Sequence, residues 1–477
     1  MELFQLVAKA ARQLNVDAYV VGGYVRDRLL ARPTKDIDIV CIGDGIKLAQ
    51  TTSSLLFPRP RVAFYSRFGT AMLRFRDMEV EFVGARKESY RHDSRKPDVQ
   101  PGTLEDDQIR RDFTINAMAI SLNEADFGRL VDPFNGLRHL EEKILLTPTE
   151  PGKTFADDPL RMMRAIRFAT QLNFSIEPDT RKAIARFRNR IHIVSQERIT
   201  TELEKIVAAP VPSVGFRLLY ETGLLELVLP ELHALHGVEK RDGIAHKDNF
   251  FHTLQVLDNL CRRSDDIWLR WAALLHDIAK PPTKRFSASE GWTFHGHEHL
   301  GAAMVPRIFK KLRLPMNEHM KFVQKMVLLH LRPIALTKEE ITDSAVRRLL
   351  FDCGDDIDSL MLLVEADITS KNDNKVKRYL RDYEYLRQRL VDVEETDRIR
   401  NWQPPVSGVD IMVTFGLPPS REVGIIKNTI REAILDGTVR NTFEEAYRFM
   451  LDTGARMGLE PRQILQASIA DNEEIPS

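Results

Sequence analysis

The spacing of apolar residues changes near Thr149, and this change limits the possible folds more than any other feature of the chain. Before it, short β-rich runs alternate with helical stretches; the runs are Ala18–Val21, 37–42, Thr70–Phe75 and 80–83. After it, apolar residues recur every three or four positions, in segments such as 157–172, 177–188, 196–207 and 268–278. We therefore predict an α+β fold, in which a mixed first third precedes a long all-α region.

Length, charge and cysteine content exclude several classes of protein. A chain of 477 residues is expected to form two to four domains, at ~100–200 residues each. Basic and acidic residues number 69 each, so any nucleic-acid surface must be local. The three cysteines lie far apart in sequence, which indicates a reducing compartment and argues against a thiolate zinc site. Because no run approaches the ~18 apolar residues that cross a bilayer, we expect a cytoplasmic protein without a membrane partner.

Two aspartates on an early strand are candidate metal ligands. Side chains alternate along a strand, so Asp36 and Asp38 project from one face about 7 Å apart, where divalent ions could bridge them. The same pattern also occurs by chance on solvated strands. A later strand offers Glu79 and Glu81 as a third acid. We predict Glu81, although an exposed strand edge explains either residue about as well.

A glycine pair and an arginine lie just before these acids. Gly22 and Gly23 follow a strand and open a helix, so the backbone could approach a phosphate chain and aim N–H groups at it. Arg26, one helical turn later, could add a fork of donors to the same triphosphate. A glycine pair alone is usually only a turn, and this interpretation therefore depends on the neighbouring acids.

Four ordered motifs lie within about the first 170 residues. They are Gly22-Gly23-Tyr24-Val25-Arg26-Asp27 with Lys35-Asp36-Ile37-Asp38, Arg110-Arg111-Asp112 with Asn116, Asp132-Pro133-Phe134-Asn135-Gly136, and Asp157-Asp158-Pro159-Leu160-Arg161 with Arg164. Together they resemble the class II tRNA nucleotidyltransferases, the CCA-adding enzymes, and their poly(A) polymerase relatives. The resemblance implies a small polymerase-β-like head with a mixed sheet, in which Asp36, Asp38 and Glu81 are catalytic and hold Mg²⁺.

The same resemblance implies a nucleotide site. One group of side chains would surround the sugar and phosphates from one helix face: Arg111, Asp112 and Asn116. Asp158 and Arg161, at i and i+3 on a helix, would read the base of CTP or ATP without a nucleic-acid template, and Arg164 would face the same ligand. As bare residues, Asp112 could equally be a helix N-cap, and Asp158 with Arg161 would more often form a surface salt bridge.

Histidine is concentrated in one helical segment, since ten of the 13 histidines lie between His233 and His330. His276-Asp277 follows an apolar helix and resembles the HD superfamily of metal-dependent phosphohydrolases, in which a His precedes this pair and a distant Asp follows it. The resemblance implies a metal site that comprises His252, His276, Asp277 and Asp367, with His297 and His330 as additional histidines. It also implies 2′,3′-cyclic phosphodiesterase and phosphatase activity.

The metal of that site is not specified by its ligands, because imidazole and carboxylate suit Mn, Ni, Co, Fe or Zn. A single buried histidine is usually a core residue, and a lapsed HD site kept as scaffold is an alternative interpretation. Two basic stretches are candidate tRNA-binding surfaces, although a charge run is more often a solvated helix face. They comprise Arg181, Lys182, Arg186, Arg188 and Arg190, and Lys371, Lys375, Lys377, Arg378 and Arg381.

We therefore predict four domains. These are a nucleotidyltransferase head at 1–149, a neck that binds RNA and selects the nucleotide at 150–240, an HD domain at 241–370, and a helical tRNA-binding tail at 371–477. The segment 62–73 lacks the paired basic residues that mark the poly(A) polymerase branch, so we expect the chain to add or repair the CCA end of tRNA from CTP and ATP.

Three alternatives remain open. The enzyme could be a poly(A) polymerase or could add only CC or only A. From another class, it could be an HD phosphohydrolase whose head binds nucleotide without catalysis, or a noncatalytic tRNA-binding protein. Whether the chain forms a homodimer also stays open.

Overall fold

A computed structural model describes residues 2–65, 69–89, 98–242, 244–337, 341–370, 372–397, 399–400 and 402–465. Positions 66–68 of the segment 62–73, and Lys371 of the second basic stretch, therefore lie outside the described residues. The chain divides into a first unit, Met1–Ala234 with Lys311–Leu314, and a second unit, Leu235–Lys310 with Pro315–Ser477. The four predicted domain boundaries stay predictions.

The first unit begins with the elements of a mixed α/β region, as the sequence predicts. They are α1 (Glu2–Leu14), β1 (Ala18–Val21), α2 (Gly23–Leu29), β2 (Asp36–Cys41), α3 (Gly45–Leu55), β3 (Val62–Tyr65), β4 (Thr70–Phe75), β5 (Met78–Gly84), β6 (Arg86–Ser89), β7 (Asp98–Pro101), α4 (Leu104–Ile109), β8 (Ala119–Ser121), β9 (Leu130–Val131), α5 (Gly136–Glu141) and β10 (Ile144–Leu145). Short 3₁₀ turns at Thr114–Asn116 and Glu124–Asp126 complete this part.

Seven of these strands form one sheet in the order β3-β4-β5-β2-β1-β8-β9. β2 and β5 are parallel, whereas the other neighbouring strands are antiparallel, so the predicted mixed sheet is confirmed. Four apolar residues of the central pair are fully buried: Ile37, Ile39, Val80 and Phe82. Because side chains alternate along a strand, the intervening acids project from the opposite face of the sheet.

The rest of the first unit is helical apart from β11 (Ser175–Ile176), which pairs with β10. Its helices are α6 (Pro151–Asp157), α7 (Leu160–Leu172), α8 (Pro178–Phe187), α9 (Gln196–Val207), α10 (Pro212–Glu221), α11 (Leu224–Val228) and α12 (Pro230–His233), with a 3₁₀ helix at Arg188–Ile193. The helix predicted at 157–172 is wrong at its start. It is broken at Asp158, whose backbone is extended (φ −137°, ψ 101°) because the next residue is Pro159, whose ring disfavours the helical region for the residue before it.

The second unit is almost entirely helical, as predicted for the region after residue 149. Its helices are α13 (Asn249–Cys261), α14 (Ile267–Leu275), α15 (Lys280–Thr283), α16 (His297–Leu312), α17 (Glu318–Leu329), α18 (Leu331–Leu336), α19 (Asp343–Cys353), α20 (Ile357–Ala366), α21 (Asp373–Asp397), α22 (Gly408–Phe415), α23 (Arg421–Leu435) and α24 (Phe443–Arg456). Two small hairpins pair β12 (Lys240–Arg241) with β13 (Ile244–Ala245) and β14 (Arg285–Ser287) with β15 (Gly291–Thr293). None of the helices in the described part of the chain is long and apolar enough to span a membrane.

Candidate active sites of the two units

Acidic side chains meet where β1, β2 and β5 lie side by side. The register places Asp38 of β2 opposite Glu81 of the parallel strand β5, and opposite Val21 at the end of β1. Asp36 lies opposite Glu79, one pair further along the same two strands. The predicted acids Asp36, Asp38 and Glu81 therefore lie on one face of the sheet, as strand alternation requires.

The glycine pair lies next to this acidic group. Gly22 ends β1 with φ 77° and ψ −140°, and Gly23 is the first residue of α2. A Cβ atom at Gly22 would lie 2.8 Å from Nη1 of Arg111 and 3.1 Å from Oδ2 of Asp38. The position therefore requires glycine for its backbone conformation and for the close approach of two charged groups.

Asp38 and Glu81 line a cavity of about 670 Å³ together with Arg86, Arg110 and Arg111. Burial raises the pKa of Asp38, and the nearby Asp36 adds to this effect although Arg111 opposes it. Burial also raises the pKa of Glu81, to which the charge of Asp38 contributes. Close carboxylates of this kind favour a shared cation, because a bound positive charge removes their mutual repulsion.

A buried polar network lies beside the cavity and contains four of the predicted nucleotide-binding residues. Asp112 accepts a hydrogen bond from Nδ2 of Asn116 at 2.9 Å and forms an ion pair with Arg164 at 2.6 Å. Nη1 of Arg26 donates to Oδ1 of Asn116 at 2.7 Å. Although burial of Asp112 acts in the opposite direction, Arg164 and Asn116 lower the pKa of this carboxyl to about 2.

Two of these arginines stack against one aromatic ring. The guanidinium carbon of Arg26 lies 4.8 Å from the centre of the Phe168 ring, and that of Arg164 lies 5.3 Å from it. Arg26 also donates from Nε and Nη2 to its neighbour Asp27, and its side chain is only 9% exposed. Arg26 thus orders the base of α2 through internal contacts, while the side chain of Arg164 is 34% exposed.

Asp158 and Arg161 are each held by a residue from another element. Oδ2 of Asp158 accepts from Nη2 of Arg198 on α9 at 3.2 Å, and its Oδ1 accepts from the backbone N–H of Leu160. Nη2 of Arg161 donates to the backbone carbonyl of Arg110. The acceptor and the donor fork of this pair therefore have defined positions before any nucleotide binds.

The second unit brings together all six residues predicted for the HD site. His252 lies on α13, His276 and Asp277 directly follow α14, and Asp367 directly follows α20. The two additional histidines are His297, which begins α16, and His330, which separates α17 from α18. Five helix ends or faces thus converge, which explains why the ligands are far apart in sequence.

Three of these imidazoles are oriented in the same way. Nδ1 of His276, His297 and His330 lies 2.7 to 2.8 Å from the backbone carbonyl three residues earlier, at Ala273, Phe294 and Val327. The Nε2 atom of each ring is buried and has no hydrogen-bond partner among the residues that the structure describes. Because the Nδ1 contact fixes the tautomer, each Nε2 carries a free lone pair in the neutral ring.

The carboxylate of Asp277 faces two groups of ligands. Its Oδ2 lies 3.2 Å from Nε2 of His276 and 3.6 Å from Nε2 of His252, and Asp367 Oδ1 lies 2.9 Å from the same atom of His252. Its Oδ1 lies 3.3 Å from Nε2 of His297 and 3.9 Å from that of His330. Two potential metal-binding groups therefore share one carboxylate, His252/His276/Asp277 and Asp277/His297/His330.

The protonation of this cluster is uneven. Burial, followed by the repulsion of His276, lowers the pKa of His330 to about 4, so this ring is neutral at pH 7. Although burial of His276 acts in the opposite direction, Asp277 and Asp367 raise its pKa. The two buried carboxylates therefore place negative charge next to these imidazoles, and a bound cation would offset that charge.

A cavity of about 530 Å³ opens beside the HD ligands. It is lined by His252 and Asp367, by the lysines Lys247, Lys280 and Lys375, and by aromatic side chains that include Tyr379. Nζ of Lys280 lies 2.6 Å from Oδ2 of Asp277. The cavity therefore joins candidate metal ligands to three cationic groups, a combination that suits an anionic substrate.

Comparison with known proteins agrees with both sites. The poly A polymerase head domain matches residues 18–146, the probable RNA- and SrmB-binding site of polymerase A matches residues 173–235, and the HD domain matches residues 249–370. An A-adding tRNA nucleotidyltransferase of Deinococcus radiodurans is 33% identical over 361 residues, which cover 73% of this chain and 79% of the relative. The chain belongs to the tRNA nucleotidyltransferase family.

Other relatives and structures extend this result. A multifunctional CCA protein of Pseudomonas fluorescens is 35% identical, with 62% of this chain and 70% of the relative covered. A tRNA nucleotidyltransferase structure with a primer tRNA and an incoming ATP analog has a TM-score of 0.56 and 25% identity, and covers 80% of this chain and 99% of its own. A CCA-adding enzyme structure with ATP, at 22% identity and a TM-score of 0.62, covers 95% of both chains and shows the shared fold.

The protein is thus a tRNA nucleotidyltransferase with an HD domain, and the sequence-based assignment of the family and of the fold class is confirmed.

Local predictions about this family's nucleotide site were partly wrong. Arg111, Asp112 and Asn116 do not share a helix face, because α4 ends at Ile109 and only the 3₁₀ turn Thr114–Asn116 follows. Asp158 does not lie on the helix that carries Arg161. The network of hydrogen bonds, rather than helical spacing, brings these groups together.

Two contacts of α9 were missed in the sequence. Besides Arg198, which holds Asp158, α9 provides Glu202, whose carboxylate lies 2.5 Å from Nε of Arg167 on α7. Both side chains of this second pair are at most 10% exposed. Arg198 and Glu202 are one helical turn apart, so the available signal was a basic and an acidic residue at i and i+4 among the apolar positions Ile199, Leu203 and Ile206.

Proposed function

We propose that this enzyme builds or repairs the 3′-terminal CCA of tRNA from CTP and ATP without a nucleic-acid template. The observation that carries the proposal is the pairing of Asp38 with Glu81 across the parallel strands β2 and β5, in a cavity that Arg111 also lines and next to which Gly22 lies. The relatives include A-adding as well as CCA-adding enzymes, so the added nucleotides are the property to be tested.

The residues of the cavity fit a divalent metal site. Asp36, Asp38 and Glu81 would hold Mg²⁺, an ion that prefers carboxylate oxygens and lowers the pKa of an RNA 3′-hydroxyl when bound. The raised pKa values of Asp38 and Glu81 fit this role, since burial and the neighbouring carboxylates outweigh the nearby arginines, and a bound cation would offset both effects. Arg111, 16% exposed and held by Asp107, would donate to the triphosphate and to the leaving pyrophosphate.

Base selection would depend on Asp158 and Arg161. A carboxylate acceptor next to a guanidinium donor matches the hydrogen-bonding edge of a cytosine or an adenine. Arg198 holds the acceptor and the carbonyl of Arg110 holds the donor, so a small change in either contact would change which base fits. Arg26, Asp112, Asn116 and Arg164 would support the sugar and phosphates from the adjoining network.

The test uses the purified full chain, Mg²⁺, and two tRNA substrates, one lacking CCA and one ending in CC. With both nucleotides, the first substrate should gain three residues and the second a single adenosine. If only the second substrate grows, the chain is an A-adding enzyme. If only the first substrate grows, and by two cytidines, it is a CC-adding enzyme. A long adenosine ladder would make it a poly(A) polymerase. Failure of both substrates to grow would refute the proposal.

A pair of variants tests the acidic group. Glu81→Gln should reduce addition by at least ~100-fold, because it removes a proposed metal ligand. Glu79→Gln is the matched control, since Glu79 lies on the same strand and its carboxylate pairs with Arg74 at 3.2 Å outside the cavity. Equal loss in both variants, or loss only in Glu79→Gln, would contradict the choice of Glu81 as the third acid.

We further propose that the HD domain is a phosphohydrolase with two metal ions that share Asp277. The unpartnered Nε2 atoms of His276, His297 and His330 fit this role, because an uncharged and buried nitrogen lone pair is stabilised by a metal. The set of imidazoles and carboxylates suits Mn, Ni, Co, Fe or Zn. The bound ions would supply an activated water to a phosphate ester, such as a 2′,3′-cyclic phosphate.

Lys280 would orient this substrate, because its ammonium group lies between Asp277 and the open cavity. In the reaction, the oxygen of water joins phosphorus, the bond from phosphorus to one sugar oxygen breaks, and that sugar oxygen receives the proton. His276→Ala with Asp277→Ala should abolish hydrolysis of a 2′,3′-cyclic nucleotide, while Asp36→Ala with Asp38→Ala should leave it intact. Absence of hydrolysis in the wild type with each of the five metals would identify the domain as scaffold.

A further inference from the structure

An aromatic side chain, Tyr65, lines the cavity that holds Asp38 and Glu81. The strand β3 ends at Tyr65 and forms one edge of the seven-stranded sheet. Tyr65 is 47% exposed and its neighbour Phe64 is 48% exposed, but Phe64 is not among the residues that line the cavity. The two residues therefore carry similarly exposed rings on opposite faces of one strand, and only one of these faces meets the acids.

The register of the strands places Tyr65 on the same face of the sheet as the acids. Tyr65 lies opposite Thr70 of β4, which lies opposite Val83 of β5. Val83 in turn lies opposite Val40 of β2. Each of these valines follows one of the two acids by two residues, so their side chains and that of Tyr65 project in the same direction as the carboxylates. Three strand spacings, or about 14 Å, separate β3 from β2, so the ring of Tyr65 does not reach a metal ion held by Asp38.

The groups proposed to hold the triphosphate lie on the other side of the acids. In the sheet order β3-β4-β5-β2-β1, the acids belong to β5 and β2, while Gly22 follows β1 and lies next to Arg111. In nucleotidyl transfer, the attacking oxygen and the leaving oxygen are roughly in line on opposite sides of the phosphorus. The 3′-hydroxyl of the RNA therefore approaches from the side away from the triphosphate, which is the side of β5, β4 and β3.

We propose that Tyr65 is a positioning residue for nucleotidyl transfer, and that its ring stacks on the 3′-terminal base of the tRNA that is being extended. The proposal rests on the proposed transfer site and adds the side of the cavity on which the RNA lies. Arg86, two residues after β5, lines the same cavity and offers a cation to the phosphate next to that base. An aromatic ring stacks on every base, which suits an RNA end whose last nucleotide changes as the end grows.

Steady-state kinetics of the full chain with Mg²⁺ separate a contact with the RNA from a contact with the incoming nucleotide. Tyr65→Ala should lower kcat/KM for the tRNA by about 10-fold, which is the effect of one lost stack between a base and an aromatic ring. It should leave KM for ATP or CTP within twofold of the wild type. Tyr65→Phe keeps the ring and should restore kcat/KM for the tRNA to within twofold of the wild type.

Phe64→Ala is the matched control, since it removes a similarly exposed ring from the same strand on the face away from the acids. It should leave kcat/KM for the tRNA within twofold of the wild type. An equal loss in Phe64→Ala and Tyr65→Ala would overturn the proposal, because damage to the edge strand would then explain both. A higher KM for the nucleotide in Tyr65→Ala, or no recovery in Tyr65→Phe, would overturn it as well.

A tRNA that lacks its terminal base tests the contact itself. With the wild type, an abasic 3′-terminal nucleotide should lower kcat/KM by about as much as Tyr65→Ala does. Both changes together should lower it no further, because they remove the same interaction. An abasic nucleotide three positions earlier is the control, and its effect should multiply with that of Tyr65→Ala. Effects that also multiply at the terminal position would show that Tyr65 does not contact this base.

A binding measurement keeps the inference separate from the proposed function. With Ca²⁺ in place of Mg²⁺ and saturating protein, a tRNA with 2-aminopurine at its 3′ end should lose fluorescence on the wild type, on Tyr65→Phe and on Phe64→Ala. It should keep this fluorescence on Tyr65→Ala. Equal quenching on Tyr65→Ala would overturn the inference even if the chain adds CCA. Quenching that depends on Tyr65, in a chain that extends no tRNA, would instead refute the proposed function and support the stacking contact.

Discussion

Replacement of His330 by alanine should remove one of the two metal ions proposed for the HD domain and leave the other. His330 and His297 face Oδ1 of Asp277, while His276, His252 and Asp367 lie on the side of Oδ2. Without His330, the second ion keeps only one imidazole and a shared carboxylate. The first ion keeps all of its ligands, so wild-type protein should bind two Mn²⁺ per chain and His330→Ala should bind one.

The expected effect on stability follows from the linkage between binding and folding. An ion present at 100 times its dissociation constant, and bound only by the folded state, adds about 2.7 kcal/mol to the free energy of unfolding. For a unit of this size, about 2 to 4 °C of Tm correspond to each kcal/mol. Each ion should therefore raise Tm by about 5 to 11 °C, so that the wild type gains two such increments and His330→Ala gains one.

The assay can follow the second unit alone. All four tryptophans, Trp268, Trp271, Trp292 and Trp402, belong to this unit, so tryptophan fluorescence reports its unfolding and not that of the head. Metal analysis of the same samples gives the number of bound ions. His299→Ala is the matched control, because His299 is two residues from His297 on α16 and its side chain is 76% exposed. Two ions and two increments in His330→Ala, or a single ion in the wild type, would refute the reasoning.

Three further predictions concern the first unit. Glu202→Gln should destabilise it by about 3 kcal/mol, because Arg167 keeps a buried charge without a carboxylate partner and only its hydrogen bond to Gln171 remains; far-UV circular dichroism would measure this, and a loss below ~1 kcal/mol would contradict it. Asp112→Asn should lower the free energy of unfolding by about 2 kcal/mol at pH 7. Because folding lowers the pKa of Asp112 to about 2, this difference between wild type and variant should shrink as the pH falls from 5 to 3. A difference that stays constant with pH would contradict the ion pair. Arg198→Ala should change the ratio of kcat/KM for CTP and ATP by ~10-fold through release of Asp158, and an unchanged ratio would show that this contact does not position the base reader.

The fold was predictable where local periodicity decides the structure. The strands β1, β2, β4 and β5 were expected from β-rich runs, and their buried residues alternate along the chain as a half-buried sheet requires. The helices α8 and α9 coincide within one residue with the predicted segments 177–188 and 196–207, because their buried residues recur with the helical period of 3.6 residues. The short strands β3, β8 and β9 were not predicted, because strands of two to four residues carry too little periodic signal.

The residues proposed for the nucleotide site come from sequence motifs, whereas their arrangement could not be predicted from the sequence. The resemblance of the motifs indicated Asp112, Asn116, Asp158 and Arg161, yet helical spacing was the wrong way to connect them. Pro159 breaks the expected helix, and the side chains are instead linked through partners 40 to 90 residues away in sequence, such as Arg198 for Asp158 and Arg26 for Asn116. Such contacts depend on how elements pack, which neither spacing nor propensity reports.

The acidic clusters of the HD site and of the head differ in how their residues are connected along the chain. This difference explains why motifs indicated every proposed residue of the HD site but left two choices for the third acid of the head. In the HD site, the shared carboxylate adjoins His276 in the chain, and each oriented imidazole is fixed by a carbonyl three residues earlier. Both relations are local, so a motif can contain them. In the head, Asp38 meets Glu81 through the register of two parallel strands 43 positions apart, and a shift of that register by two residues would present Glu79 instead. Which of Glu79 and Glu81 lies opposite Asp38 is therefore a question of strand register, which the sequence does not specify, and the role of Glu81 as the third acid stays a prediction.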